Sequence, residues 1–161
     1  MKQSFLKKSG DGLYTAATER IEDPFYFFQY RYKKSVFSYE SSLYLLGLTD
    51  KIVSAFDITV ENHYKFNSPP IDATIHYVSK DILNLGAIEV QTAFGNIVRT
   101  YSPERSVCDF IKSKEKADPE VYVKFLQSYA AMKNKDINFL WQIASAMKIA
   151  DKVRNVMEIL I

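Results

Sequence analysis

The stretch Ile88-Glu89-Val90-Gln91-Thr92-Ala93-Phe94-Gly95-Asn96-Ile97-Val98-Arg99-Thr100-Tyr101 decides the fold class. Apolar and polar residues alternate on both sides of Gly95, the two-residue period of a half-covered strand. Ile88, Val90 and Thr92 mark one arm; Ile97, Arg99 and Tyr101 mark the other. Gly95-Asn96 between them reads as a tight two-residue β-turn, because both residue types accept a positive φ. Ser102-Pro103 follows at once, a hydroxyl able to cap a helix and a proline suited to its first position. A helix from there to about Lys112 is expected. A hairpin feeding straight into a helix puts both kinds of element in one unit, so the chain reads as α+β.

Upstream, Phe56, Ile58 and Val60 alternate, as do Ile75 and Tyr77, predicting strands over 55–60 and 73–78. Residues 1–12 read as a flexible start, and Leu13 to Ala17 as a short strand. Asp23-Pro24 opens a helix carrying Phe25, Tyr26, Phe27, Phe28, Tyr30 and Tyr32. Val36-Phe37 is extended; Ser38 can cap a helix through Leu43 and Leu46, which Gly47 ends. Ser79 can cap a short helix through Leu83 and Leu85, stopped by Gly86. Downstream, Lys112 to Lys116 reads as a solvated charged turn. Asp118-Pro119-Glu120 starts a helix with Val121, Phe125 and Tyr129 on one face, and Asp136 caps another through Ala144. Ile149, Val153, Val156, Met157 and Leu160 make a last amphipathic helix. With no internal repeat or linker, 13–161 reads as one domain: a small mixed sheet with a hairpin, then a layer of C-terminal helices.

The 161 residues, 47% apolar and 25% charged, suffice for one core without disulfide or metal. Twenty-one basic against 19 acidic residues leave +2, too balanced for nucleic-acid binding driven by bulk charge. Cys108 is the single cysteine, so no internal disulfide forms, which suits a reducing cytoplasm. Met1 to Asp11 lack the apolar core of a leader, and no apolar run nears the roughly 18 residues of a membrane span. A cytoplasmic protein without membrane contact is expected.

No catalytic residue, cofactor or metal is expected either. His63 and His76 sit in or beside strands without a serine or cysteine relay pattern. Cys108 lies too far into its helix for activation by the helix N-terminus and reads as a buried, inert thiol. Asp57, Glu61, Asp72 and Glu89 are strand-associated acids that a magnesium-dependent nuclease would need, but no strand carries the Glu-x-Lys such a site wants. In the helix after the hairpin, Glu104 favours the positive helix end. Arg105 and Asp109, four apart among apolar neighbours, form a pair that ties the helix to the hairpin or to loop carbonyls. Arg31, Lys33 and Lys34 follow the aromatic helix and are candidate contacts for a nucleic acid or partner, or else a solvated helix end. Lys133, Lys135, Lys148, Lys152 and Arg154 offer a second basic face on the same terms.

Phe37 to Asp50, with Gly47 near its end, resembles the helix-and-turn signature of AbiEi antitoxins of abortive-infection phage defence. Thr92-Ala93-Phe94-Gly95-Asn96 followed by Glu104-Arg105-Ser106-Val107-Cys108-Asp109 resembles the family's second signature, a Thr-Pro-Phe-Gly turn and a Glu-Arg-Thr-x-Cys-Asp helix. Asp23 to Phe28 also fits. Leu46 stands where the family often has His, and Ala93 where it usually has Pro. The resemblance implies a non-enzymatic antitoxin that counteracts a cognate nucleotidyltransferase-like toxin, indirectly and without a stable complex. It also implies repression through operator DNA, read in the family by an N-terminal winged helix-turn-helix. Here Gly12 to Ala17 would be what remains of the wing, so weak operator binding is expected. Two readings stand beside it: a nucleic-acid-processing enzyme of restriction-endonuclease-like fold, and an interaction module that homodimerises through its aromatic helix.

Overall fold

The computed structural model describes residues 6–8, 14–16 and 22–160. Leu6–Lys8 (β1) and Tyr14–Ala16 (β2) pair antiparallel as a separate two-stranded unit. Only the second was expected, in place of an element-free start; the rest of 1–12 lies outside the described residues. Pro24–Arg31 forms α1, with Asp23 accepting a hydrogen bond from the Tyr26 amide as N-cap. The helix stops one residue short of expectation: Tyr32 is its C-cap, and its hydroxyl donates to the Ser68 carbonyl. Val36–Phe37 (β3) leads into Tyr39–Leu45 (α2). Ser38 precedes α2 without capping it, because its Oγ instead accepts from Thr59 Oγ1 at 2.9 Å.

Phe56–Glu61 (β4) and Ala73–Val78 (β5) are followed by the short helix Lys80–Leu83 (α3), which Ser79 also leaves without a side-chain cap. Ala87–Gln91 (β6) and Ile97–Tyr101 (β7) make the hairpin. Pro103–Lys112 (α4) starts where Ser102 Oγ accepts from the Arg105 amide. A 3-10 turn at Lys114–Lys116 replaces the irregular connection expected there. Pro119–Ala131 (α5), Ile137–Ala146 (α6) and Ala150–Leu160 (α7) complete the helical layer; Asp118 and Asp136 cap the first two. No described helix is long and apolar enough to cross a membrane.

Strands β3 to β7 form one mixed sheet in the order β5-β4-β3-β7-β6, so the fold is α+β. The hairpin differs from expectation in its turn. Gln91 pairs with Ile97, Thr92 N–H donates to the Asn96 carbonyl, and Gly95 N–H donates back to the Thr92 carbonyl. Ala93 and Phe94 therefore occupy the turn's centre, and Gly95 follows at φ 84°. This is a three-residue loop with a bulge rather than a two-residue turn.

The pairing also reassigns the faces. Phe37 lies opposite Ile58 and Thr100, so Phe37, Ile58, Val98 and Thr100 share one face. On that side Phe25 of α1 packs against Phe37, Ile58 and Val98. Rings of Phe25 and Phe28 lie 4.7–5.7 Å from those of Phe37 and Phe56. Much of the aromatic content of α1 is thus spent on the sheet. Of Ile97, Arg99 and Tyr101, the set picked out by alternation, only Tyr101 is fully buried, and it faces the helices. There α2 and α4 to α7 share a second core around Leu43, Val107, Phe110, Phe125, Leu140 and Val153.

Candidate functional site

Three segments of the sequence meet across β3 and β7. Ser42 of α2 donates to the Tyr101 carbonyl at 2.9 Å and lies 3.0 Å from Ser106 Oγ of α4. Thr100 Oγ1 donates to the Phe37 carbonyl. At the far end of the hairpin, Asp23 is buried and holds the loop: Thr92 Oγ1 and Asn96 Nδ2 both donate to its Oδ2. One carboxylate therefore starts α1 and closes the β6–β7 loop. Asp23→Ala should cost about 2–3 kcal/mol, a lost cap plus two stranded donors. Asp23→Asn, which keeps a capping oxygen but puts an amide where Oδ2 accepts from Thr92 and Asn96, should cost less by about the 1 kcal/mol of the cap, read from the urea midpoint; equal losses would mean the cap contributes nothing.

Arg105 is the largest fully buried side chain in the described residues. Its Nε donates to Asp109 Oδ1 at 3.0 Å, and its Nη1 to the Ile82 and Leu85 carbonyls at 2.7 and 2.6 Å. The guanidinium carbon lies 3.9 Å from the Tyr101 ring centroid. It thus satisfies the carbonyl end of α3 and fixes β7 to α4, a tie to loop carbonyls as expected. Burial pushes the Asp109 carboxyl above the usual range, against the pull of Arg105. Arg105 Nη2 and Asp109 Oδ2 have no hydrogen-bond partner among the described residues. Glu104 accepts from the Asp136 amide at 3.0 Å and from the Tyr129 hydroxyl, joining α4 to the start of α6. At Gly47 (φ 69°) and Gly95 a Cβ would meet nothing within 4 Å among the described residues, so what each supplies there is backbone conformation.

Cys108 is wholly buried, and burial pushes its thiol up to about 12. A thiol reagent at pH 8 should label it only in urea, with the rate following global unfolding. Rapid labelling of the native protein would contradict this packing.

A cluster that the sequence did not announce lies on the helix side of β4 and β5. His76 Nε2 is 2.9 Å from Asp57 Oδ1. The Tyr39 ring stacks on the imidazole at 4.1 Å, and its hydroxyl is hydrogen-bonded to Ser113 Oγ at 2.9 Å. Tyr39 has φ 47°, uncommon for a bulky residue. Burial pushes its hydroxyl up to about 12. These side chains, with Phe110 and Lys116, border a cavity of about 260 Å³. Ser113 is engaged by Tyr39, so the group does not form a serine–histidine relay. A strand histidine and a strand acid were visible, but the parallel pairing that joins them, Thr59 opposite His76, was not. His63 is exposed in the turn after β4.

The acids that motivated the nuclease reading do not converge. Asp57 and Asp72 lie on β4 and just before β5, whereas Glu89 is on β6 at the other edge of the sheet, opposite Arg99. Three strands intervene between β5 and β6, on the order of 15 Å or more at normal strand spacing. Among the described residues no group of three His, Cys, Asp or Glu side chains could hold a metal. Arg31, Lys33 and Lys34 are exposed at the end of α1 and just beyond it. Arg31 donates to Ser68 Oγ, and Lys33 Nζ sits 4.6 Å over the Tyr30 ring. Comparison with known protein families and with curated proteins finds no match.

Proposed function

We propose that this chain is a non-enzymatic antitoxin or regulatory protein of a phage-defence, abortive-infection toxin–antitoxin system, counteracting a nucleotidyltransferase-like toxin. One observation supports the reading above others. The three segments that carry the resemblance, Asp23 to Phe28, Phe37 to Asp50 and Thr92 to Asp109, are bonded to one another through Asp23, Ser42, Thr92, Asn96 and Ser106. Their residue types are those the contacts need, so the signatures read as one folding unit rather than as scattered coincidences. The dispersed acids favour this over the nuclease alternative. Autoregulation through operator DNA belongs to the same proposal, with β1 and β2 as the strand pair that a wing would supply.

Co-expression with an adjacent nucleotidyltransferase-type toxin gene tests it. Growth should recover with the wild-type chain and not with an Asp23→Ala/Arg105→Ala variant. Failure of the folded wild-type chain to rescue growth from an active toxin would sink the proposal.

A further inference from the structure

We propose that the groove between the α4–α5 connection and α7 binds a nucleoside polyphosphate. The groove measures about 570 Å³. Small-molecule sites span roughly 300–1,000 Å³. Ile111, Tyr122 and Val156 give it an apolar floor, the first two buried. Lys112, Lys114, Lys116 and Lys152 form its exposed rim, and Asn155 adds an amide.

Charge singles this groove out. Its lining holds four lysines and one carboxylate, Glu115, an excess of three in a chain whose whole net charge is +2. Lys51 and Lys124 elsewhere are paired with acids, but none of these four has a carboxylate within 4 Å among the described residues. Lys112 has a local reason to be there, since a cation suits the last turn of α4. Lys114 also faces the Tyr122 ring, but neither that contact nor the helix ends call for four lysines around one cavity, where like charges repel.

The floor carries a second sign. Tyr122 is 8% exposed, and its buried hydroxyl has no hydrogen-bond partner among the described residues. An unpartnered buried hydroxyl is costly to keep. Lys114 Nζ lies 5.7 Å from the centre of the same ring, over the apolar floor. Several ammonium groups match a chain of phosphates better than a single carboxylate, and lysine serves phosphate as a point charge. The apolar floor fits a base or sugar ring. A groove of this chemistry would bind the same ligand whether or not the chain is an antitoxin.

Calorimetry and amide-resolved NMR on the full chain test it with four probes: a nucleoside triphosphate, inorganic triphosphate, the unphosphorylated nucleoside and a single-stranded oligonucleotide. The nucleoside triphosphate should saturate one site and shift amides at residues 113–116 and 152–156. Inorganic triphosphate should bind there more weakly and the nucleoside not measurably. Lys114→Glu and Lys152→Glu, both at exposed positions that leave the fold intact, should each weaken binding by about tenfold or more. Undiminished binding by both variants, shifts confined to other surfaces, or saturation by the oligonucleotide alone would overturn the proposal. Equal affinity for inorganic triphosphate would overturn its nucleoside part.

Discussion

Arg105→Ala should lower the unfolding free energy by about 3–5 kcal/mol, the range for removing one partner of a buried ion pair. Domains of ordinary stability have about 5–15 kcal/mol in total. The variant should therefore unfold at a far lower urea concentration, or fail to accumulate. Three losses coincide. Asp109 is left buried without its counter-ion, the Ile82 and Leu85 carbonyls lose a donor, and Tyr101 loses the cation against its ring. The pH dependence has a definite sign. Burial already raises the Asp109 carboxyl above its unfolded value, and removing Arg105 raises it further. A carboxyl whose folded pKa exceeds its unfolded pKa adds stability below the unfolded value and loses it as pH rises through the folded one. Relative to wild type, the variant should thus suffer least near pH 4 and most at neutral pH. A deficit that is flat with pH would mean that the lost carbonyl and ring contacts, not Asp109, set the cost. Replacing both partners, as in Arg105→Met/Asp109→Leu, should be less harmful than Arg105→Ala, because no buried charge remains.

The contacts of Arg105 show where sequence reading reaches and where it stops. The pairing with Asp109 is local, four residues apart on a helix, and the apolar neighbours implied its burial. The same holds for the Asp-Pro and Ser-Pro starts of α1, α4 and α5, which need only adjacent residues to be recognised. The carbonyls that Arg105 reaches belong to α3 and the turn after it, some 20 residues away, and no local pattern specifies them. Strand order was equally hidden. Parallel pairing of β4 with β5, and of β3 with β7, arises from non-local packing, and it alone brings Asp57 beside His76. The hairpin was legible as two arms, but its turn was misplaced by the pair Gly95-Asn96. Gly95 does take the left-handed conformation, yet as the residue closing a longer loop whose register Asp23 pins through Thr92 and Asn96. Glycine's tolerance marks a position without fixing the loop length.

Gly86→Ala should cost about 3 kcal/mol or more, combining left-handed backbone strain with overpacking. Gly86 joins α3 to β6 at φ 77°, and its carbonyl accepts from the Ser102 amide at 2.7 Å. A Cβ there would lie 2.6 Å from Arg105 Cβ and 3.3 Å from Ile143 Cδ1. Gly95→Ala is the control: it shares the left-handed backbone but meets nothing within 4 Å, so about 1–2 kcal/mol of conformational strain is its whole cost. The difference between the two substitutions measures the crowding against α4. The nearest atom met is a Cβ, which moves only with the α4 backbone, so no rotamer change of Arg105 relieves the contact. It follows that the Gly86→Ala penalty should persist in an Arg105→Ala background, where that Cβ remains. If the penalty instead vanishes there, the guanidinium arm rather than the helix–turn spacing is the obstacle. If Gly86→Ala costs no more than Gly95→Ala, α4 can retreat from the turn, and Arg105 could not then hold the end of α3 as tightly as its hydrogen bonds to Ile82 and Leu85 require.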